Sequence, residues 1–306
     1  MSTREETALT PKNEAHTGDR EVIFIRSAPR SPALFGGLKA EDIKFPSQTH
    51  IHDDETAQSL GFRGATIAGS IHMDQFPPVL VEVFGSTWLE TGSLSLSFKN
   101  ATLEGEEVVA MVATPPRTSD VQVDALTERA DGMLVALGTA SVGQPDELTC
   151  LHSVDLRPSD PGRLRILHNL EPGTIFHHTG TIESSVPSWM GPGLSGNLDW
   201  YRGPSPWGGP IANPSAIVQL LRNRLPFTPH VEDAVGLFGA IEIRHEAGPV
   251  FRDTKYEVTG EIAAVGESPK TEYAWFDSRA SDRDGRVVAT MRMQLRWMKM
   301  SSPLYE

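Results

Sequence analysis

One stretch of the chain, residues 50–98, constrains the fold more than any other part of the sequence. A short His-containing segment and a helical turn (Asp54–Leu60) come first, and a loop with spaced glycines follows. A largely apolar segment (about Ser70–Phe84) and an alternating run (Gly92–Phe98) complete the stretch. The apolar segment predicts a mostly buried helix, and the alternating run predicts a strand. Glycine just before a helix lets a backbone approach closely and leaves N–H groups at the helix start.

The rest of the first half is rich in predicted strands. β-Branched and small residues dominate three runs after the helix, and turn signals such as Pro115–Pro116 and Asp131–Gly132 bound them. A strand, a helix and then four strands indicate an α+β layer in which the helix packs on one sheet. The predicted strands are Glu21–Ile25, Gly92–Phe98, Glu107–Thr114, Val121–Thr127 and Met133–Val142.

The second half repeats this plan weakly. The segment GGPIANPS (Gly208–Ser215) resembles GATIAGS (Gly64–Ser70), and a helical pattern follows each of them. This internal duplication predicts two similar units in one chain. The predicted elements are the strand Thr174–Glu183, the helix Asn213–Leu225 and the strands Val235–His245, Thr254–Val265, Glu272–Ser281 and Val287–Met298.

Composition places the boundaries of the two units in polar segments. Residues 1–20 lack an apolar core, so they predict a disordered tail and not a secretory signal. Residues 146–162 are polar and contain proline, which is typical of a linker. The first unit is therefore predicted to span residues 21–145 and the second residues 163–306.

Charge and cysteine content limit the partners. A net charge of −13 argues against nucleic acid or an anionic membrane as the main partner. No apolar run approaches the roughly 20 residues of a membrane span. The single Cys150 excludes an intramolecular disulfide and predicts a reducing, cytoplasmic location. No phosphate loop, dinucleotide fingerprint or metal-ligand spacing occurs, so we predict no cofactor and no metal.

Several motifs in residues 50–98 resemble those of one enzyme family. A His is followed by Asp-x-x-x-Ala (Asp53 to Ala57), by Gly61, Gly64 and Gly69, and by WLETG (Trp88–Gly92). This order is similar to that of the MaoC-like dehydratases, which include the R-specific enoyl-CoA hydratases. The resemblance implies a double hot-dog fold, in which two antiparallel sheets each wrap a central helix and form a pseudodimer. It also implies a lyase that adds or removes water at an α,β-unsaturated acyl thioester, such as an acyl-CoA, lying against the helix start.

One part of the family pattern is missing from this sequence. The hydratases carry an Asp five residues before the catalytic His, and the chain has Ser47 five residues before His52. An ungapped match that runs back from Ala57 places Ile51 at the family's His position. The second half has no such Asp–His spacing where the repeat would place it. The Asp–His pair is therefore incomplete in both halves.

Two histidines beside Ile51 are candidates for proton transfer. His50 and His52 would point to the same face of an extended segment. Hydration needs a group that holds water and delivers a proton, and a His side chain titrates in the suitable range. We take His52 as a catalytic candidate and His50 as a substrate-binding one. Asp53 either caps the short helix that follows or orients a histidine.

Polar residues near the start of the predicted buried helix form a second set of candidates. Buried polar side chains need partners or a ligand. His72 and Gln75 share a helix face, whereas Asp74 points elsewhere. His72 is therefore an alternative acid or base, Gln75 a substrate-binding candidate and Asp74 a partner for the base, unless they form only a buried hydrogen-bond network. Pro77 would kink the helix or mark its true first turn.

Substrate-binding groups are predicted at the helix start and in a long loop. Backbone N–H groups of Gly69 and Ser70 would polarise a thioester carbonyl as an oxyanion hole. The matching place in the second half is Asn213–Pro214, where proline has no N–H to donate. The Trp-rich loop of residues 188–209 contains Trp200 and Tyr201, which would line a pocket for a bulky acyl group or anchor a lid.

Hydration or dehydration is the function that the sequence predicts best, and three alternatives stay open. In hot-dog thioesterases an acidic residue on this helix assists hydrolysis, so the resemblance also allows a thioesterase in which Asp74 activates water. An isomerase or cyclase acting on a free carbonyl compound and a non-catalytic acyl-binding protein are the others. Arg63 and Lys99 are candidates for a basic patch that would favour CoA over a free acid or ketone. Exposed sheet edges predict a homodimer.

Overall fold

The computed structural model describes residues 21–29, 51–52, 54–116, 119–156, 161–184, 198–226 and 234–306. The predicted tail and two candidate site residues, His50 and Asp53, lie outside these residues. The described residues form an antiparallel sheet of ten strands with helices packed against it. The α+β class predicted from the sequence is therefore confirmed.

Each half contributes five strands to the sheet. Those of the first half are β1 (Val22–Ser27), β2 (Ser93–Phe98), β3 (Val108–Ala113), β4 (Val121–Arg129) and β5 (Leu134–Val142). Those of the second half are β6 (Ile175–Thr181), β7 (Gly236–His245), β8 (Lys255–Glu267), β9 (Thr271–Ser281) and β10 (Val287–Met298). Every predicted strand is present, with bounds that differ from the prediction by no more than two residues.

The helices are shorter than the sequence pattern predicts. Their bounds are α1 (Asp54–Ser59), α2 (Gly69–Met73), α3 (Pro77–Phe84), α4 (Trp88–Thr91) and α5 (Pro214–Arg222). The single helix predicted over about Ser70–Phe84 is wrong, because a turn at residues 74–76 divides it into α2 and α3. Pro77 has no N–H and occupies the first turn of α3, as the second alternative for this residue predicts. Helix α5 ends before Leu225 because Asn223 adopts extended backbone angles.

The strand order shows the internal duplication. Across the sheet the order is β1-β3-β4-β5-β2-β7-β10-β9-β8-β6, so the second half repeats the order of the first in the opposite direction. Strands β2 and β7 meet at the centre as an antiparallel pair that runs from Ser93–Arg244 to Ser97–Ala240. The two sheets expected from the sequence are thus joined edge to edge into one.

Matching hydrogen bonds define which residues of the two halves are equivalent. In the first half the Ile67 N–H donates to the Thr102 carbonyl at 2.9 Å, and in the second the Ala212 N–H donates to the Val250 carbonyl at 2.7 Å. An isolated β-bridge lies next to each of these bonds. The two bonds give a fixed point from which residues can be counted along α2 and α5.

Counting from that point places Gly69–Ser70 opposite Pro214–Ser215, one residue later than the sequence comparison predicts. Proline therefore stands where the first half has the glycine that begins α2. The equivalent pairs are Gly69 and Pro214, Ser70 and Ser215, His72 and Ile217, Asp74 and Gln219, Gln75 and Leu220, and Thr102 and Val250.

The main core lies where the helices meet the sheet. Fully buried side chains from the first half include Phe76, Leu80 and Trp88, and Ile217 and Leu221 come from α5. Burying side chains of this size stabilises the fold by about 1.5–3 kcal/mol each. The indole N–H of Trp88 also donates to the carbonyl of a β2 residue at 3.2 Å. Among the described residues, no helix has the length and apolar character needed to cross a membrane.

Residues 143–156, which we call the connecting segment, lie against the sheet. Leu151 packs in a cluster with Ala240 and Trp275, and its N–H donates to Ser95 Oγ at 3.0 Å. The buried Glu242 carboxylate of β7 accepts a hydrogen bond from Thr149 Oγ1 at 2.6 Å and lies 3.0 Å from His152 Nδ1. The described part of the predicted linker is therefore fixed to the sheet by packing and by hydrogen bonds.

Gly138 provides a test of the strand pairing. A Cβ at this position of β5 would lie 1.7 Å from the carbonyl oxygen of Ser95 in β2, so the paired backbone would have to move. We expect Gly138→Ala to lower the free energy of unfolding by about 3 kcal/mol or more in urea titrations. Gly209→Ala is the control, because nothing lies within 4 Å of its added Cβ; its expected effect is below about 0.5 kcal/mol. Equal effects would contradict the close approach.

Candidate functional site

A cleft of about 190 Å³ opens beside the start of α2. It brings together three residues that the sequence predicts as site residues, His52, Gly69 and His72. Both halves contribute walls. The first half supplies the segment that contains His52, the loop before α2 and the residues after β2, and the second half supplies Gly236–Gly239 of β7 and Arg296 of β10.

His52 is half-buried in the wall of this cleft. Its Nδ1 lies 2.6 Å from the carbonyl oxygen of Thr66. Because a carbonyl oxygen only accepts, Nδ1 carries the proton, and Nε2 is the nitrogen that accepts one in the neutral ring. The Thr66 N–H in turn donates to the Ile51 carbonyl at 2.8 Å, which fixes the spacing of the two segments. Residues 51–52 form a turn, so the extended segment predicted around His52 is wrong there.

His72 is only 2% exposed, and hydrogen bonds hold both of its ring nitrogens. Nδ1 lies 3.3 Å from Gln75 Nε2, and Nε2 lies 2.8 Å from Thr102 Oγ1. The amide nitrogen of Gln75 donates, so Nδ1 accepts and Nε2–H donates to Thr102. Burial lowers the pKa of His72 to about 4, and His72 is therefore neutral near pH 7.

Asp74 is fully buried, and its carboxylate is turned away from the cleft toward α5. Oδ1 accepts a hydrogen bond from the Ser215 N–H at 2.8 Å, and Oδ2 accepts from Ser215 Oγ at 2.6 Å and Asn213 Nδ2 at 3.0 Å. Burial raises the pKa of Asp74 to about 6, although these hydrogen bonds and the nearby Arg252 act in the opposite direction. Asp74 thus lies apart from His52.

Gly69 permits a close contact at the start of α2. It is half-buried, and a Cβ at this position would lie 2.6 Å from the ring of Phe98, which also lines the cleft. In the part of the chain that the structure describes, the N–H groups of Gly69 and Ser70 donate no hydrogen bond. These are the groups that the sequence predicts as oxyanion donors, and the first of them belongs to a residue of the cleft wall.

Trp200 and Tyr201 do not line the cleft. The Trp200 ring packs edge-on against Trp207 at 5.6 Å, and the indole N–H of Trp207 donates to Glu90 Oε1 at 2.8 Å. Tyr201 is 2% exposed, and among the described residues its hydroxyl has no hydrogen-bond partner. Burial, together with the charge of Asp74, raises the pKa of Tyr201 well above its ordinary value. These two aromatic residues therefore belong to the core side of α5 and not to the His52 side.

Two basic side chains lie at the junction of this cleft and a larger one. The second cleft, of about 540 Å³, borders the connecting segment and shares Lys99 and Arg296 with the first. Among the described residues neither side chain forms an ion pair: Lys99 donates to Ser97 Oγ, and Arg296 donates to Gln294 Oε1. The other predicted basic residue, Arg63, is instead bound by the Glu106 carboxylate at 2.7 and 2.9 Å.

Sequence reasoning missed Thr66, Thr102 and Arg296. Thr66 acts through its backbone carbonyl, which no side-chain pattern indicates. The match of Thr102 with a second-half valine, and of His72 with an isoleucine, follows only from the register that the structure defines. Arg296 reaches the cleft only because β10 pairs with β7, which is a contact between distant parts of the chain.

Comparisons with known proteins reveal similarity in structure alone. No family model matches the chain, and no curated protein matches its sequence. A protein named for a MaoC domain dehydratase, from Chloroflexus aurantiacus J-10-fl, is similar with a TM-score of 0.57 and 14% identity over 91% of this chain and 95% of that one. A MaoC-like dehydratase gives a TM-score of 0.54 and 14% identity over 92% and 98%. A conserved hypothetical protein of Mycobacterium tuberculosis, described as a double hotdog fold, gives 0.56 and 11% over 91% and 96%.

The His72 hydrogen bonds can be tested against the chain's own second half. Thr102→Val removes the acceptor for the buried His72 Nε2–H, and we expect a loss of about 1–3 kcal/mol in the free energy of unfolding. A variant that adds His72→Ile and Gln75→Leu copies the apolar residues at the equivalent positions, so no buried donor remains unsatisfied. Urea titration should then show recovery to within about 1 kcal/mol of the native protein. A further loss in the triple variant would contradict the assigned bonds.

Proposed function

Because the chain has the double hot-dog fold, we propose that it is a lyase that adds or removes water at an α,β-unsaturated acyl thioester or related carbonyl compound. One observation carries this proposal. His52, whose tautomer is fixed by the Thr66 carbonyl, and Gly69, which begins α2, line the same cleft. A proton acceptor and N–H donors beside one cavity are the groups that this reaction needs.

In this mechanism His52 moves the proton. Nε2 takes a proton from water while the water oxygen bonds to Cβ, and the electron pair of the double bond moves toward the thioester carbonyl. The negative charge that develops on the carbonyl oxygen is stabilised by the N–H groups of Gly69 and Ser70. His52 then returns the proton to Cα, which gives the 3-hydroxyacyl product. Dehydration is the same sequence in reverse.

His72 has a different role in this proposal. With its pKa lowered to about 4 by burial, its ring does not take up a proton near neutral pH. Nδ1 is occupied by Gln75 and Nε2 by Thr102, so the ring is a fixed, neutral part of the cleft wall. We therefore assign proton transfer to His52. His72 and Gln75 support the cleft wall through their buried hydrogen bonds and do not themselves bind water or substrate.

The Thr66 carbonyl replaces the missing acid in orienting the base. The hydratases that the sequence resembles carry an Asp before their His, and this chain has none between residues 43 and 52. A carbonyl fixes which nitrogen of His52 bears the proton. It does so without adding a full negative charge next to the ring. Asp74 cannot orient the His52 ring instead, because Ser215 and Asn213 already donate hydrogen bonds to both of its carboxylate oxygens.

We further propose that the thioester carrier is phosphorylated. Lys99 and Arg296 lie between the two clefts without a carboxylate partner among the described residues, in a chain of net charge −13. Burial lowers the pKa of the Arg296 guanidinium, which indicates a cation that lacks a compensating anion. A phosphate of the carrier at this junction would supply it.

The first prediction concerns His52. Purified protein should consume the enoyl absorbance of crotonyl-CoA without releasing thiol, and His52→Ala should lower kcat by about 10²–10⁴-fold because the proton acceptor is lost. The matched control is His177→Ala, which removes an exposed histidine of β6 that pairs with Glu257; its kcat should match the native value. Release of thiol would instead establish a thioesterase. An active His52→Ala variant would refute the assigned base.

The second prediction concerns the carrier. Lys99→Gln should raise KM about tenfold for an enoyl-CoA, the equivalent of about 1.4 kcal/mol of lost charge interaction. It should leave KM unchanged for the same enoyl group on N-acetylcysteamine, which has no phosphate. Arg63→Gln is the control, because the charge of Arg63 is already neutralised by Glu106. An equal change in KM for both substrates would contradict a phosphate at Lys99.

A further inference from the structure

The beginnings of α2 and α5 are equivalent in the fold but differ in their surroundings. Gly69, at the start of α2, lines the cleft. Ser215, in the first turn of α5, is 3% exposed, and its N–H donates to Asp74 Oδ1 at 2.8 Å. Asp74 belongs to the first half and follows α2 directly. One half therefore supplies a carboxylate to the helix start of the other.

Ser215 and Asn213 donate three hydrogen bonds to this carboxylate. Ser215 Oγ and Asn213 Nδ2 donate to Oδ2, and the Asn213 side chain is itself held by Arg252, whose Nη2 donates to Oδ1 of the amide at 2.9 Å. Helix N-termini attract negative charge through their N–H groups and dipole. Arg252 is 6% exposed, so this positive charge is also buried. The arrangement is that of a site built to hold an anion.

Tyr201 gives a second, independent indication that buried polar groups gather near the start of α5. Its side chain is buried and its hydroxyl has no hydrogen-bond partner among the described residues. The charge of Asp74 contributes to the raised pKa of Tyr201, so the two groups are close in space. Tyr201 therefore adds a buried hydroxyl near the start of α5 that takes part in none of the hydrogen bonds to Asp74.

Among the residues that the structure describes, no carboxylate of the second half bonds to the start of α2. The residue equivalent to Asp74 is Gln219, and its Oε1 accepts from Arg222 of the same helix at 3.1 Å. Gln219 is uncharged and bonded within α5, so it does not fill the start of α2, and Gly69 lies in the wall of the cleft. The two equivalent helix starts therefore differ. That of α2 faces the cleft, and that of α5 is bonded to the buried carboxylate of Asp74.

We propose that the N-terminus of α5 is an anion-binding site that Asp74 occupies permanently, and that Asp74 is thereby the positioning residue for α2. Helix α2 packs against α5 and carries Gly69 and His72. Its end is tied to α5 through the Asp74 contacts with Ser215 and Asn213. Without these hydrogen bonds of Asp74, the start of α2, which lines the cleft, is no longer held in position.

Chemical rescue tests this inference. Asp74→Ala removes the carboxylate and leaves room for sodium formate, which presents the same carboxylate group. We expect formate to raise the Tm of this variant by about 2–4 °C in a saturable manner, more than equimolar sodium chloride does. The native protein, with its site filled, should show no such difference. Asp74→Ala should also lower kcat at least tenfold, and formate should restore it.

Two further variants show where formate binds. Adding Ser215→Ala to Asp74→Ala removes a donor of the site, so at least tenfold more formate should be needed for the same Tm rise. Gln219→Ala, at the equivalent position of α5, should not respond to formate. Asp74→Asn keeps the side-chain volume, so it should fold even if Asp74→Ala does not, with a lowered kcat and no response to formate.

The anion site would be refuted if folded Asp74→Ala responded equally to formate and chloride, or if Ser215→Ala left the formate response unchanged. The positioning role would be refuted if either Asp74 variant kept the native kcat. The kinetic readout rests on the proposed lyase function, whereas the Tm readout needs no substrate. Failure of the proposed reaction would therefore appear as inactivity of the native protein, with the Tm response of Asp74→Ala intact.

Discussion

The antiparallel pairing of β2 with β7 is the interaction on which the rest of the structure depends. Backbone hydrogen bonds between Ser93–Ser97 and Ala240–Arg244 merge two five-stranded sheets into one of ten strands. The pairing satisfies the inner edge of both sheets, which would otherwise be open to pairing with another chain. It also sets Gly236–Gly239, in the first part of β7, against the loop before α2. The cleft therefore exists only because the two sheets meet in this register.

The two halves share a backbone plan but have distributed their polar groups unequally. An unpaired buried polar side chain costs free energy, and in the first half the buried His72 and Thr102 are paired with each other. The second half has isoleucine and valine at the same positions and needs no such partners. Its helix start is satisfied by Asp74 from the first half. The two copies of this architecture therefore differ in where their buried polar groups lie.

Local patterns made most of the fold predictable. Alternation and β-branched runs located every strand to within two residues, because the strand pattern repeats every two residues and depends only on local sequence. The same reasoning identified His52, His72 and Gly69, which line one cleft. It could not place Asp74 against Ser215 or Arg296 beside Lys99, because those contacts depend on how helices and strands from distant parts of the chain pack. Trp200 and Tyr201 show the same limit, since aromatic content alone does not distinguish a pocket wall from the core.

The shared walls of the cleft have an evolutionary consequence. A single ancestral half that paired with an identical copy would have formed two equal clefts, each bordered by the other copy's β7 equivalent. In this chain the start of α2 lines a cleft, whereas the start of α5 receives the Asp74 carboxylate and carries Pro214, which has no N–H. Each half depends on the other, since β7 and β10 supply one wall of the cleft and Asp74 bonds to the start of α5. A separated half would lose either the cleft wall or this carboxylate.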